Sequence, residues 1–140
     1  MKAVNVYLTF DGNCQKAFEF YKRCLGGELF TMKFADMPGG CDKLPPGSGD
    51  RVMHTALKNG AAVLMASDTM PGMPFHQGNN FSVAITCESN EDVDKYCGAL
   101  SQGGKVTMPS QETFWAHRFA MCTDQFGIQW MFNHDKPMQM

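Results

Sequence analysis

Hydrophobic and polar residues alternate over residues 4–10 (VNVYLTF), and this period of two predicts a β-strand. In residues 14–25 the apolar positions instead recur every three or four residues, which predicts an amphipathic α-helix. Asn13 is a suitable N-cap, and Gly26 and Gly27 can provide the left-handed conformation that ends a helix. The chain is therefore expected to begin with a strand and a helix.

Three more strand patterns complete the first half of the sequence. They cover residues 28–34, 51–58 and 61–67, and a loop rich in Gly and Pro separates the first two. The pair Asn59-Gly60 between the last two patterns is a strong hairpin signal, because Asn-Gly readily adopts the positive φ angles of tight turns. The first half thus predicts the order βαβββ.

The second half repeats this order. It has strand patterns at residues 81–87, 105–111, 114–122 and 128–133, and a helical pattern at residues 90–102 between the first two. The turn and cap residues keep a spacing of 77 positions, as a duplicated unit would leave, in the pairs Asn13 and Asn90, Gly26 and Gly103, and Gly27 and Gly104. We therefore predict an α+β chain of two βαβββ modules.

The predicted modules cover about residues 1–67 and 80–134, joined by a linker at about 68–79, and together they form a single domain. Two such modules pairing edge to edge would form a curved mixed sheet with a concave cleft. Concave, mostly apolar surfaces that carry a few polar groups are the usual sites for small molecules. The cleft is therefore the expected binding site.

Composition and charge narrow the class of partner. The 140 residues are 44% hydrophobic and 19% charged, which suits one ordinary globular core. A formal net charge of -2 gives no bulk attraction to nucleic acid or anionic lipid. No apolar run reaches the roughly 20 residues that a bilayer span needs, and the amino terminus lacks the apolar region of a secretory signal. We expect a cytoplasmic protein that binds neither nucleic acid nor membrane.

The six cysteines show no C-x-x-C spacing, and most fall within apolar patterns. In a cytoplasmic chain such residues act as small hydrophobes, so we expect buried free thiols. Cys41 is the exception, because its loop is rich in Gly and Pro and could expose a reactive thiol. The full set is Cys14, Cys24, Cys41, Cys87, Cys97 and Cys122.

Four stretches of the chain carry a family resemblance: YLTFDGNCQKAFEFYKRCLGGEL, VMHTALKNG, LMASDTMP and above all QETFWAHRFAMCTDQFGIQWMFN. They resemble the PhnB-like proteins of the glyoxalase/bleomycin-resistance/dioxygenase (vicinal oxygen chelate) superfamily, and they cover most of the chain. The resemblance implies paired βαβββ modules and a homodimer. It does not select an activity, because this fold hosts isomerases, dioxygenases, transferases and drug-binding proteins.

Metal enzymes of that superfamily place one ligand, usually His or Glu, on the first and last strand of each module. This sequence does not supply such a set. The corresponding positions offer Asn5, Tyr7, Thr9, Met65, Ser67, Ser82 and Met131. Neutral hydroxyls and thioethers bind a divalent ion weakly compared with imidazole and carboxylate. We therefore expect no metal centre of the superfamily type and no other cofactor.

A different set of residues could act in catalysis or bind a metal ion. His54 and His117 each lie in the third strand of their module, and Glu112 begins the motif that contains His117. Two His residues near a carboxylate can supply a general base, or can hold a divalent metal away from the usual site. The plainer interpretation is that a His in a strand is a hydrogen-bonded structural residue.

Four further residues are candidates for ligand contact: Tyr7, Asp68, Trp115 and Trp130. The three aromatic side chains could stack on a planar ligand, although an aromatic residue in an alternating strand is first of all a core residue. Asp68 closes the fourth strand and could project toward the cleft, or it could simply begin a turn.

Three functions remain open at this point. The preferred one is a small-molecule-binding protein that performs no chemistry. The alternative is a lyase, isomerase or dioxygenase-type enzyme that uses His54, His117 and Glu112, with or without a divalent metal. The third is a structural or regulatory dimer whose cleft is filled by its own side chains.

Overall fold

The predicted first strand and helix are both present in the computed structural model, which describes residues 1–40 and 42–137. Strand β1 spans Val6–Phe10 and helix α1 spans Cys14–Leu25. Phe10 packs edge-on against Phe18 of the helix, with the two ring centroids 6.2 Å apart. The alternation of β1 therefore places one face of the strand beneath α1.

The first compact unit, Met1–His76, is called unit 1. After α1 it contains β2 (Glu28–Lys33), a short 3₁₀ turn, β3 (Val52–Asn59) and β4 (Ala62–Asp68). The four strands form one sheet in the order β1-β4-β3-β2, in which β1 and β4 are parallel and the other pairs are antiparallel. The hairpin between β3 and β4 is confirmed, but Asn59 pairs with Ala62, so the two turn residues are Gly60, with a φ of 58°, and Ala61 instead of Asn59 and Gly60.

The second compact unit, Gln77–Met140, is called unit 2, and its residues 138–140 are not described. Its elements are β5 (Val83–Thr86), α2 (Asn90–Leu100), β6 (Lys105–Gln111), β7 (Ala116–Thr123) and β8 (Gln129–Asp135). The sheet order β5-β8-β7-β6 repeats that of unit 1, again with the first pair parallel. The α+β class and the repeated βαβββ order are thus confirmed.

Two glycines 77 residues apart occupy equivalent tight positions. A Cβ atom on Gly27 would lie 2.4 Å from the carbonyl oxygen of Lys58, and one on Gly104 would lie 2.1 Å from that of Thr123. Only glycine allows such an approach of two backbones. The spacing therefore reflects one packing requirement met once in each unit.

Asn13 is the N-cap residue of α1, as predicted, but its side chain does not perform the capping. Asn13 makes no side-chain cap hydrogen bond, and the N–H of Cys14 donates instead to Asp68. Helix α2 is capped by Ser89, whose hydroxyl accepts from the N–H of Asp92 over 3.1 Å. The carboxylate of Asp68, which lies on β4, thus caps α1 in place of the Asn13 side chain.

The prediction of buried cysteines is confirmed for Cys14, Cys87, Cys97 and Cys122. Cys24 is half-buried, and Cys41, for which exposure was expected, lies outside the described residues. Over residues 1–40 and 42–137, neither helix is long and apolar enough to cross a membrane.

Candidate functional site

One face of the unit 1 sheet is covered by α1, and the other carries a mixture of apolar and polar side chains. Tyr7 pairs with Met65, Met65 with Ala56, and Ala56 with Phe30, so this row crosses all four strands on the face away from the helix. His54 lies two positions before Ala56 and therefore shares its face. We call these five residues the Tyr7–His54 face.

The exposed fractions identify which side of the sheet is accessible. Tyr7 is 49% exposed and Phe30 is 58% exposed, whereas Leu8, the next residue after Tyr7, is 2% exposed. An aromatic residue on a strand is usually buried in the core. Tyr7 and Phe30 are exceptions, so two large aromatic side chains on this face are available for contact with another molecule.

The central contact of this face joins Tyr7 and His54 across β4. The Tyr7 hydroxyl oxygen lies 3.3 Å from Nδ1 of His54, and the two rings stack with centroids 5.8 Å apart and planes inclined by 26°. Depending on the tautomer, the hydroxyl donates to Nδ1 or Nδ1–H donates to the hydroxyl. The pair thus places a hydrogen-bond donor and an acceptor side by side on an otherwise largely apolar face.

The strands that carry ligands in metal enzymes of this fold do not suit a metal ion here. Tyr7 and Met65 are neighbours in adjacent strands, Asn5 precedes β1, and Ser82 precedes β5. Met131 lies in a row with Ala84, Met121 and Met108. Thioethers, hydroxyls and methyl groups replace the imidazoles and carboxylates that a divalent ion prefers. Across the described part of the chain, no group of three or more His, Cys, Asp or Glu could hold a metal ion.

Glu112 forms an ion pair with a lysine. Its Oε2 lies 2.8 Å from Nζ of Lys136, and this ion pair, with a smaller contribution from the charge of His117, holds the pKa of the carboxyl below its usual value. A carboxylate with a lowered pKa is a weak proton acceptor. Glu112 could therefore accept a proton efficiently only after it leaves Lys136.

His117 is exposed, and its ring centroid lies 4.9 Å from that of His134. The predicted last strand ended at residue 133, but β8 continues to Asp135 and therefore includes His134. The structure thus pairs His54 with Tyr7 and His117 with His134. Residues 133–136 are all polar, so no alternation of apolar residues marked this end of the strand.

The structure gives Asp68 a structural set of partners rather than a ligand-contacting position. Its Oδ1 accepts the N–H groups of Gly12 (2.8 Å) and Cys14 (3.1 Å), and its Oδ2 accepts that of Val52 (2.9 Å). The residue is 6% exposed. Three backbone donors occupy its carboxylate, so the turn-forming interpretation is closer to what the structure shows.

The two tryptophans lie in different environments. Trp130 is 0% exposed and donates its Nε1–H to Oδ2 of Asp124 over 2.8 Å, so it is a core residue and cannot line an accessible surface. Trp115 is half-buried and packs edge-on against Phe114 and Phe119. Of the two, only Trp115 keeps an accessible aromatic surface.

Comparison with known proteins identifies the family. The sequence model of the Glyoxalase/Bleomycin resistance protein/Dioxygenase superfamily matches residues 3–132. The chain belongs to this superfamily. Within it, the chain is 35% identical over 136 residues to Protein YjdN of Escherichia coli (strain K12), and the match covers 91% of each protein.

Solved structures agree with this assignment. Protein PA1353 from Pseudomonas aeruginosa superposes with a TM-score of 0.83 at 38% identity, over 96% of this chain and 100% of that one. A PhnB protein from Bacillus cereus gives a TM-score of 0.75 at 22% identity, over 95% and 99% of the two chains. The similarity to PhnB-like proteins that the sequence motifs indicated is therefore confirmed.

Proposed function

We propose that this protein binds a small molecule on the Tyr7–His54 face of unit 1. The observation that carries the proposal is the 3.3 Å contact between the Tyr7 hydroxyl and His54 on a face where large aromatic side chains are exposed. A donor and an acceptor fix the orientation of a polar ligand atom, and the apolar neighbours supply contact area. This combination is typical of small-molecule sites.

The side chains of this face indicate the chemical class of the ligand. Tyr7 and His54 can exchange hydrogen bonds with a hydroxyl or carbonyl oxygen, whereas Met65 and Phe30 offer thioether and ring surface. Methionine adapts its shape to different partners and contacts aromatic rings favourably. The expected ligand is therefore a planar, largely apolar molecule that carries a hydroxyl or carbonyl group.

The proposed binding needs no metal centre of the superfamily type, because the side chains at those positions are poor ligands. An enzyme that uses His54, His117 and Glu112 is the alternative. It has weaker support, since Lys136 occupies the carboxylate of Glu112 and lowers its pKa. We also propose that the protein acts in the cytoplasm and that it forms a homodimer. Light scattering of the purified protein would test the oligomeric state.

The location of binding can be tested by NMR with 13C-methyl-labelled methionine and acetophenone as the probe. Saturable shifts of the Met65 and Met32 methyl signals are expected, because Met32 pairs with His54 and Met65 with Tyr7. The Met1 signal serves as an internal control. A titration that moves no methionine of unit 1, or moves all methionines equally, would contradict the proposal.

A further inference from the structure

A pair of imidazoles in unit 2 remains unused by the proposed function. His117 of β7 and His134 of β8 lie with ring centroids 4.9 Å apart and planes inclined by 45°. His117 is exposed and His134 is half-buried. We propose that these two residues bind one divalent transition-metal ion, such as Zn²⁺, at a site separate from the Tyr7–His54 face.

The separation of the rings fits a shared ion. With metal–nitrogen bonds of about 2.1 Å, two imidazoles on a tetrahedral ion would have centroids about 5.2 Å apart, and on a square-planar ion about 4.5 Å apart. The observed 4.9 Å lies between these values. The rings are thus close enough to share one ion without a large movement of the backbone.

A β-bulge produces this arrangement. Ala116 pairs with Asp135 and Arg118 pairs with His134, so two steps along β7 correspond to one step along β8 and His117 is the extra residue. Bulges redirect the side chain of the residue they insert. His117 therefore lies beside His134 although the two are not partners in the strand register.

The hydrogen bond of His134 leaves its other nitrogen available. Nδ1 of His134 lies 2.8 Å from Oδ1 of Asn90, the first residue of α2. Because an amide oxygen can only accept, Nδ1 carries the proton and Nε2 keeps its lone pair. Metal-binding histidines almost always donate their second ring N–H in this way, which fixes both tautomer and ring orientation.

The surrounding charges do not oppose a cation. Each of the two neighbouring cationic side chains is paired with a carboxylate, Arg118 with Asp94 over 2.6 Å and Lys136 with Glu112 over 2.8 Å. The carboxylate of Glu112 also interacts with the charge of His117. Since the described residues contain no group of three such ligands, water would complete the coordination.

The site can be tested by isothermal titration of the whole protein with ZnCl₂ at pH 7.5. One Zn²⁺ per chain is expected, together with a shift of the His134 Nε2 signal in long-range 15N NMR. Asn90→Ala should weaken binding roughly 10-fold by releasing the ring of His134. His117→Ala should weaken it at least as much, and His76→Ala, which removes an exposed loop imidazole, should have no effect.

Because His117 is exposed, its replacement should leave the fold intact even if a variant of His134 does not fold, and circular dichroism checks this. Absence of zinc binding would overturn the proposal, as would stoichiometric binding that survives His117→Ala. Equal loss in His76→Ala would also overturn it. The site is independent of Tyr7 and His54, so failure of either proposal leaves the other unaffected.

Discussion

The Oδ1 atom of Asp68 accepts the backbone N–H of Cys14 over 3.1 Å, so the last residue of β4 holds the first residue of α1. The same carboxylate accepts from Gly12 and Val52, the latter at the start of β3. One buried side chain thus joins a loop, a helix and two strands of unit 1.

We predict that Asp68→Ala lowers the free energy of unfolding by about 2–5 kcal/mol, because three backbone donors would lose their acceptor in a buried place. Chemical denaturation monitored by circular dichroism measures this. Asp50→Ala, at an exposed position, should change stability by less than about 0.5 kcal/mol. Similar losses in the two variants would contradict the structural role of Asp68.

The thiols of Cys14 and Cys87 should be unreactive in the folded protein. Burial, and to a lesser extent the charge of Asp68, raises the pKa of Cys14 to about 12, and burial raises that of Cys87 to about 11. Since the thiolate is the nucleophile, iodoacetamide at pH 8 should leave both residues unmodified until the protein is unfolded. Mass spectrometry of the digested protein reports the modified sites, and rapid alkylation of Cys14 in the folded state would contradict its burial.

The same shift predicts a loss of stability in alkaline solution. The folded state keeps the Cys14 proton up to about pH 12, whereas the unfolded state releases it near the ordinary pKa of 9.0. The free energy of unfolding should therefore fall as the pH rises from 9 toward 12. Cys14→Ala should reduce this slope, and an unchanged slope in that variant would exclude Cys14 as its source.

Hard divalent ions should not bind at the positions that hold metal in related enzymes. Mn²⁺ prefers carboxylate, carbonyl and water oxygens, and the strands in question present Met65 and Met131. In the His117→Ala variant, which removes the site proposed in unit 2, added Mn²⁺ should therefore leave the methyl signals of these two methionines unbroadened in 13C NMR. Selective broadening that EDTA reverses would show that a metal site exists there after all.

The alternation of apolar residues predicted the repeated element order, because burial of one sheet face dictates it locally. The hairpin after β3 was equally predictable, since Gly60 supplies the positive φ that its tight turn requires. In contrast, the partners of Asp68 and the pairing of His117 with His134 depend on contacts between distant segments and on a β-bulge. Such tertiary contacts leave no local pattern in the sequence.

The candidate site was predictable only in part. Tyr7 and His54 were both identified, but as members of separate groups, and their contact depends on the strand order that places β4 between them. Trp130 was wrongly included, because a fully buried tryptophan and an exposed one fit the same alternating pattern. Phe30 was missed, although it alternates within β2.

If Tyr7 and His54 bind the polar group of a small molecule, the affinity for that molecule depends on both side chains. Titration with acetophenone should give an affinity that falls about 3- to 10-fold in Tyr7→Phe, the loss expected for one hydrogen bond, and at least as much in His54→Ala. Tyr96→Phe, which removes a half-buried tyrosine hydroxyl from α2, is the matched control and should bind as the unaltered protein does. Equal affinities in all four proteins would show that Tyr7 and His54 do not bind the ligand.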